Sequence, residues 1–546
     1  MPSLDTLIQL CFAVGLPIMG TLVLVMAIQT FTLGTQAHQD KCKARVQAAT
    51  NPDTSTHPAP YYLGIFHPYP NAGGGGERVI WTMIKAIQDK YPYIVCVIYS
   101  GDAISRDDLL RNVSSKFGLT INAETIYIVE LSRRWWIDYK FPRLTLLMQS
   151  LGSLVLVSEA MHEFCPDVFV ETVGFAFTYP FVRLLSARIP IVAYTHYPSI
   201  SSDMQTMVSS REAGFNNNDD IARSAVLSSL KSIYYKVFAH AYAFAGSFAS
   251  TIMTNSSWTQ NHIVKLFGKP KMTRVVYPPC DTKVLEKFPL APRSPIIVSL
   301  AQFRPEKNHR LQIEAFAKLL ETRPEFVAPA GYKAEEEDAL LAKCRRQGVA
   351  AADFPPVLVM IGGARNIEDE ARAEELRQLA RRLGVDRQVL FVVNAPWGRV
   401  LDWLRYARVG VHTMRDEHFG INIVEMMAAG LLTVAHDSAG PKLDIIVPAI
   451  RHPRVVVMTE EEKEEKEGDE IPPVGFVATD VDGFAKSIEL ALTADDKFAG
   501  DMQRAARNVA VTKFSEDAFR TAFYKRFGPV VRWLDNQAST NDDDDD

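Results

Sequence analysis

The sequence contains no C-x-x-C pair. Its six cysteines, Cys11, Cys42, Cys96, Cys165, Cys280 and Cys344, are scattered over 546 residues. That spacing excludes the common zinc-ligand patterns, and a disulfide framework is out of place in so long a chain. Free thiols, buried or half-buried in a reducing compartment, are expected instead. No Gly-Lys-Ser/Thr follows the one glycine-rich run, and its glycines lack the G-x-G-x-x-G spacing, so neither a P-loop nor a dinucleotide fingerprint is present. Excess positive charge is missing too. The formal net charge is −5, and nothing overall points to nucleic acid. Acidic residues pile up in Glu460–Glu470 and Asp542–Asp546, which leaves the rest of the chain nearer neutral.

What is present is the composition of a folded protein, 47% hydrophobic and 23% charged, with enough length for two ordinary domains. One apolar run stands out. From Thr6 to Thr32 no residue is charged, and as a helix this stretch can cross a hydrocarbon core of roughly 30 Å. Asp5 precedes it and no Lys or Arg does, whereas Lys41, Lys43 and Arg45 follow. This pattern favours a retained signal-anchor over a cleaved signal peptide and puts the remainder of the chain in the cytosol. Residues 33–60, polar with several Pro and Thr, read as a linker.

Beyond the linker, short apolar runs alternate with helical stretches. Tyr61–Phe66, Tyr93–Tyr99, Ile126–Leu131, Val168–Glu171, Ile189–Tyr194 and Thr251–Thr254 read as strands. So do Ile296–Leu300, Val357–Ile361, Val389–Val393, Val409–His412 and Leu432–Ala435. Most are continuously apolar rather than alternating, which suits parallel strands covered on both faces. Leu376, Leu379 and Leu383 recur at helical spacing, and Gly384 falls where a C-cap glycine belongs. The fold class is therefore α/β, two doubly wound Rossmann-like domains with a cleft between them, at 61–288 and 289–505. Residues 506–535 are expected to be helices returning to the first domain, and 536–546 a disordered acidic tail. Ala328–Phe354 and Glu460–Pro473 look like insertions.

Five motifs carry candidate chemistry. In Glu417-His-Phe-Gly-Ile-Asn-Ile-Val-Glu425, two glutamates flank Phe419-Gly420 at a strand–loop–helix junction that closes with Gly430. Free N–H groups at such a helix start suit a diphosphate. Carboxylates beside it must face hydroxyls, and those of sugar and ribose are the natural partners. Solvated surface glutamates are the plain alternative. Arg304-Pro-Glu-Lys307 follows the first strand of the second half and offers cations to the same phosphates. Asn71-Ala-Gly-Gly-Gly-Gly-Glu-Arg78, which includes Gly74, Gly75 and Gly76, permits close approach of backbone to a ligand. His196 ends another strand and can meet the transferred sugar or the acceptor, although a lone histidine is more often structural. Arg133, Arg134, Trp135, Trp136 and Lys140 lead into the apolar stretch Leu144–Val157, a mixture typical of a membrane interface. The sequons at Asn112 and Asn255 stay unmodified if this part of the chain is cytosolic.

These residues resemble the retaining GT-B glycosyltransferases. More narrowly, they resemble the GDP-mannose:lipid-linked oligosaccharide α-1,2-mannosyltransferases of asparagine-linked glycosylation. The narrow likeness rests on Phe66-His-Pro-Tyr-Pro-Asn-Ala-Gly-Gly-Gly-Gly-Glu-Arg-Val, His196-Tyr-Pro-Ser-Ile-Ser, Ala301-Gln-Phe-Arg-Pro-Glu-Lys-Asn-His, Ile361-Gly-Gly-Ala-Arg and His436-Asp-Ser-Ala-Gly-Pro-Lys-Leu-Asp444, and it spans roughly residues 60 to 535. It implies a GDP-mannose donor, a dolichyl-pyrophosphate-linked oligosaccharide acceptor that receives its fourth and fifth mannoses, and no metal cofactor. It also implies the cytosolic face of the endoplasmic reticulum membrane and, as partners, other mannosyltransferases of the pathway. By position, Glu417 meets the donor sugar and Glu425 the ribose. The amides around Phe419, Gly420, Ile421 and Asn422 meet sugar and phosphates, and Lys307 the diphosphate. Where many such enzymes have an arginine, this chain has Gln302, leaving Arg304 to supply that charge. A neighbouring α-1,3/α-1,6 mannosyltransferase and an inactive membrane scaffold are the rival readings.

Overall fold

The computed structural model describes residues 36–139, 141, 144–200, 225–332, 334, 337–346, 355–451 and 472–542. They divide into two compact units. The first comprises the chain to Asn255, Thr259–Val276 and the residues from Arg520 onward; the second comprises Ser256–Trp258 and Tyr277–Phe519.

The described residues begin with α1 (Gln36–Ala49), β1 (Tyr61–Phe66), α2 (Gly75–Lys90), β2 (Ile94–Ser100), α3 (Arg106–Phe117), β3 (Ile126–Glu130) and a short α4 (Trp135–Asp138). It continues through α5 (Thr145–Glu163), β4 (Val168–Glu171), α6 (Thr178–Leu185), β5 (Ile191–Thr195), α7 (Ala225–Gly246), β6 (Thr251–Thr254), α8 (Ser257–Phe267) and β7 (Thr273–Val275). Its sheet has the order β3-β2-β1-β4-β5-β6-β7, and its pairings are parallel. Every residue of β2 and β4 is buried, as the unbroken apolar runs require of strands covered on both faces.

The second sheet follows the same plan. β8 (Ser294–Leu300), α9 (His309–Thr322), α10 (Glu337–Arg346), β9 (Val357–Gly362), α11 (Ile367–Arg382), β10 (Val389–Val393), α12 (Trp397–Tyr406) and β11 (Ala407–His412) come first. Then come α13 (Ile421–Ala429), β12 (Leu432–His436), β13 (Ile450–Arg451), β14 (Phe476–Ala478), α14 (Val481–Thr493), α15 (Asp496–Phe514) and α16 (Glu516–Asp542). The order β10-β9-β8-β11-β12-β14-β13 is again parallel. Helix α11 shows why sequence signals worked here. Asn366 caps its first turn by accepting from the Asp369 N–H, acids crowd that turn, and Arg381 and Arg382 close the last. Gly384 follows with φ +70°, the left-handed stop that glycine permits.

Several features depart from the sequence reading or fall outside what is described. The segment read as a linker contains α1, which docks through few side chains: Val46 and Cys42 are buried, and Arg45 donates to the Glu163 carbonyl at 2.7 Å. Two inward residues at i, i+4 suffice to seat a helix on a surface already built, and so sparse a pattern leaves the composition polar. Part of Ala328–Phe354 is α10, with Leu340, Leu341 and Cys344 in the core of its unit. Strands β7, β13 and β14 are two or three residues long, too short for a periodic signal. The tail expected to be disordered is helical as far as Asp542, while the run Thr6–Thr32, Lys140, most of the charge block 460–473 and residues 543–546 lie outside the described residues. Among the described residues, no helix is long and apolar enough to cross a membrane.

Candidate active site

In each unit the strand order reverses direction between two central neighbours, β1 and β4 in the first and β8 and β11 in the second. Such switch points open a crevice at the carboxyl ends of the strands, where doubly wound folds bind ligands. The candidate Lys307 and Glu417 lie at the second of these.

In the second unit, the loop after β8 brings Lys307 and the loop after β11 brings Glu417. The Lys307 ammonium donates to Glu417 Oε2 at 2.5 Å. The Thr413 hydroxyl ties the two loops together, lying 3.1 Å from the Lys307 carbonyl and 2.9 Å from that of Asn308, while Gln312 donates to it at 3.0 Å. The Glu417 loop is fixed from behind as well. Asp416 N–H donates to Ser438 Oγ at 2.8 Å, and Gly440 N–H donates to the Glu417 carbonyl at 3.0 Å. A Cβ on Gly440 would stand 2.6 Å from the His418 carbonyl oxygen, so only glycine lets the two segments lie this close.

Burial works to raise the Glu417 carboxyl, but a hydrogen bond with His412 and the charge of Lys307 outweigh it and hold the group ionised, well below the usual carboxylate range. His412, the last residue of β11, is almost fully buried and lies 3.0 Å from Glu417 Oε2 through Nε2. Sequence reasoning passed over it, although a histidine at a strand's carboxyl end had drawn attention at His196.

Helix α13 begins at Gly420, whose φ of +110° only glycine adopts readily. No side chain caps this helix start, so its first amides remain donors for a ligand. The Asn422 side chain faces inward, donating to the Leu300 carbonyl at 2.6 Å. Glu425 lies one turn in and is half-buried. Two of the candidate side chains have partners within their own unit. The Phe419 ring is core, packed on Tyr277 and Phe514, so any ligand contact there belongs to the backbone. Arg304 pairs with Glu306 at 2.7 Å rather than joining Lys307 at Glu417.

In the first unit the structure brings the glycine run to His196. Helix α2 starts at Gly75, and a Cβ on Gly76 would lie 3.6 Å from His196 Nε2. The Gly74 amide is already used: it donates to Glu77 Oε2 at 2.5 Å, while His67 Nε2 lies 3.4 Å from Glu77 Oε1. His67 also bridges the switch point, with Nδ1 2.9 Å from Thr172 Oγ1. Neither His67 nor Glu77 had been given a role. Away from this crevice, Trp135 is 58% exposed and stacks on Trp136 at 4.6 Å. The Arg133 N–H donates to Glu159 Oε2 at 3.1 Å. Arg134 is held by Asp102 and Asp138, and its charge is spent within the fold. The C-terminal half of Leu144–Val157 is core, with Leu156 and Val157 buried, whereas Leu144 and Leu147 are exposed. Nearby α7 presents exposed Ile233, Val237 and Phe244, and its Tyr234 hydroxyl accepts from the Leu147 N–H. Asn255 is buried, with no room for a glycan. None of the five described cysteines is in a disulfide. Among the described residues, no group of three His, Cys, Asp or Glu is placed to hold a metal ion.

Residues 60–267 match the family model described as ALG11 mannosyltransferase N-terminus, and residues 281–466 match that of glycosyl transferases group 1. A Mus musculus protein named GDP-Man:Man(3)GlcNAc(2)-PP-Dol alpha-1,2-mannosyltransferase is 38% identical over 520 residues, 94% of each chain. The Homo sapiens protein of that name is 37% identical over the same length and shares, and that of Dictyostelium discoideum is 37% identical over 86% of this chain and 85% of its own. The chain belongs to the ALG11 mannosyltransferase family. Among solved structures, Anabaena HepE in complex with UDP and glucose superposes with TM-score 0.54 at 15% identity, over 86% of this chain and all of that one. Sucrose-phosphate synthase from Thermosynechococcus elongatus superposes with TM-score 0.56 at 13% identity, over 87% of this chain and all of its own. At such identities the likeness is one of fold, the two Rossmann-like domains of GT-B glycosyltransferases.

Proposed function

We propose that this family member transfers mannose from GDP-mannose, in α-1,2 linkage and with retention, onto a dolichyl-pyrophosphate-linked Man3GlcNAc2 glycan, adding its fourth and fifth mannoses. The observation that carries this reading is the Lys307–Glu417 pair at the β8/β11 switch point, in a chain that matches relatives of that name along 94% of its length. Glu417 accepts hydroxyls of the mannose, Glu425 those of the ribose, and the first amides of α13 take phosphate oxygens. Lys307 has three ammonium donors, of which one meets Glu417 Oε2 and one the Met414 sulfur, so the third can also bind the diphosphate as charge builds on it. The leaving phosphate then accepts the acceptor's proton in a front-face displacement through an oxocarbenium-like state. With that charge met by Lys307 and helix amides, turnover is expected to persist in EDTA; its abolition by the chelator would overturn the metal-free step. Gly76 and His196 are assigned to the acceptor side.

Thr6–Thr32 serves in this reading as a single-pass anchor in the endoplasmic reticulum membrane, with both units cytosolic. The exposed Trp135, Leu144 and Leu147, together with the apolar stripe of α7, support a peripheral contact with the same membrane; Lys140 is retained as part of it. Other mannosyltransferases of the pathway are candidate neighbours there. The deciding experiment incubates purified protein with GDP-mannose and a lipid-linked trimannosyl acceptor and determines product mass and linkage. Two added α-1,2 mannoses are expected. An α-1,3 or α-1,6 product would favour the neighbouring transferases, and failure to bind GDP-mannose would favour a scaffold.

A further inference from the structure

The geometry points to His412 as a positioning residue that holds Glu417 in one orientation, committing Oε2 to the protein and leaving Oε1 for a hydroxyl of the transferred sugar. The inference rests on the reading of Glu417 as the sugar-hydroxyl acceptor.

Leu300 is the last residue of β8. Its carbonyl can only accept, so the Asn422 atom 2.6 Å away is the amide NH2. That same nitrogen lies 2.9 Å from His412 Nδ1. An NH2 group only donates, so Nδ1 accepts and the proton of a neutral ring sits on Nε2. From there it is donated to Glu417 Oε2 at 3.0 Å. The chain of donors thus runs one way, from Asn422 to both Leu300 and His412, then from His412 to Glu417. Lys307 donates to the same Oε2, while Oε1 has no hydrogen-bond partner among the described residues. The two oxygens are therefore inequivalent before any ligand arrives, which is the condition for a preorganised acceptor.

Burial holds the His412 imidazole neutral; the pull of Glu417 toward a charged ring is partly cancelled by Lys307. The charged and titratable groups acting on this cluster are Lys307, Glu417 and the imidazoles of His309 and His436. A neutral donor suits the task, since a second full cation beside Lys307 would compete for the carboxylate that the sugar needs.

The test compares wild type with His412→Ala, His412→Gln and Glu417→Ala, measuring kcat, KM for GDP-mannose, binding of GDP alone and the pH dependence of kcat. His412→Ala is expected to lower kcat about ten- to a hundredfold, the scale of one hydrogen bond to a charged group. Its affinity for GDP, which lacks the mannose, should change by less than about threefold on the same reasoning. The acid limb of its kcat profile should move to higher pH, because the carboxylate loses a donor while Lys307, His309 and His436 remain. His412→Gln, whose amide can donate to Oε2, should recover most of the rate. Wild-type kcat and acid limb in His412→Ala would overturn the inference, as would equal loss of kcat and of GDP binding in both His412 variants, which is the mark of a purely structural residue. Full activity of Glu417→Ala would instead overturn the reading on which the inference rests, so the two failures are distinguishable.

Discussion

Glu417 is largely shielded, with its side chain 12% exposed, ionised and anchored through one oxygen, and its loss should cost chemistry while leaving the chain folded. Replacing it with alanine is expected to reduce turnover about 10²- to 10³-fold, the range for removing one preorganised electrostatic contact, with an unchanged circular dichroism spectrum. Near-normal turnover would remove Glu417 from the site. The same residue makes a pH prediction. Its folded pKa lies below the ordinary 4.5, so the unfolded chain binds its proton first as pH falls. The stabilisation is complete above that value and is lost with acidification. Glu417→Gln should therefore unfold with a shallower acid dependence below pH 4.5. His309 acts in a higher window. Burial lowers its pKa from 6.5 to about 4, so its contribution is full above 6.5 and declines as pH falls toward 4, at up to about 1.4 kcal/mol per pH unit. Denaturant titrations of His309→Gln between pH 7 and pH 4, as approximate limits chosen around those pKa values, should show that slope diminished; an unchanged slope would assign the acid sensitivity to other groups.

At the scale of elements, α13 joins the site to the body of its unit. Its first turn, at Gly420, is open to ligand, and its last turn is secured by two arginines. Arg293 is buried and reaches the carbonyls of Leu404, Ala407 and Ala429, while Arg507 donates to Ala428 and Ala429. Cations at a helix C-terminus meet its unsatisfied carbonyls and the negative end of its dipole. Burial lowers the Arg293 pKa to about 9, yet its guanidinium bonds replace much of the lost hydration. Gly430 lets the arginines approach: its φ is +86°, and a Cβ would lie 2.6 Å from Leu290 Cδ2 and 2.7 Å from Arg507 Nη2. Gly430→Ala should lower unfolding free energy by about 1–3 kcal/mol, combining backbone strain with displaced packing. Thermal and denaturant unfolding would measure this, and a neutral result would show that the C-terminus of α13 relaxes without cost.

The described residues form two doubly wound units, each around its own parallel sheet, and α16 completes the first of them. Phe523, Phe527, Val531 and Leu534 of α16 are buried, and Tyr524 donates to the Ala86 carbonyl at 2.8 Å. Each such apolar side chain is worth about 1.5–3 kcal/mol, so truncation after Phe519 should remove a large share of the few kcal/mol that keep a domain folded. Limited proteolysis is the check: cleavage within the first unit should rise sharply, and unchanged resistance would show that α16 is dispensable there. Much of this architecture was legible from residues alone. The unbroken apolar runs marked buried parallel strands, Gly384 and Gly430 marked helix ends, and the Glu417–Glu425 spacing marked a junction, because each signal is contained within one turn, strand or short segment. Partners and exposure were decided only by the tertiary structure. Lys307 meets Glu417 across 110 residues because β8 and β11 are neighbours at the switch point. Arg304 pairs with Glu306, the Gly74 amide is taken by Glu77, α1 docks against the residues around Glu163, and the tautomer of His412 follows from a carbonyl on another strand. Local periodicity reports which face of an element is apolar. It carries no information on which distant element will lie against that face, and that choice gives each buried charge its partner.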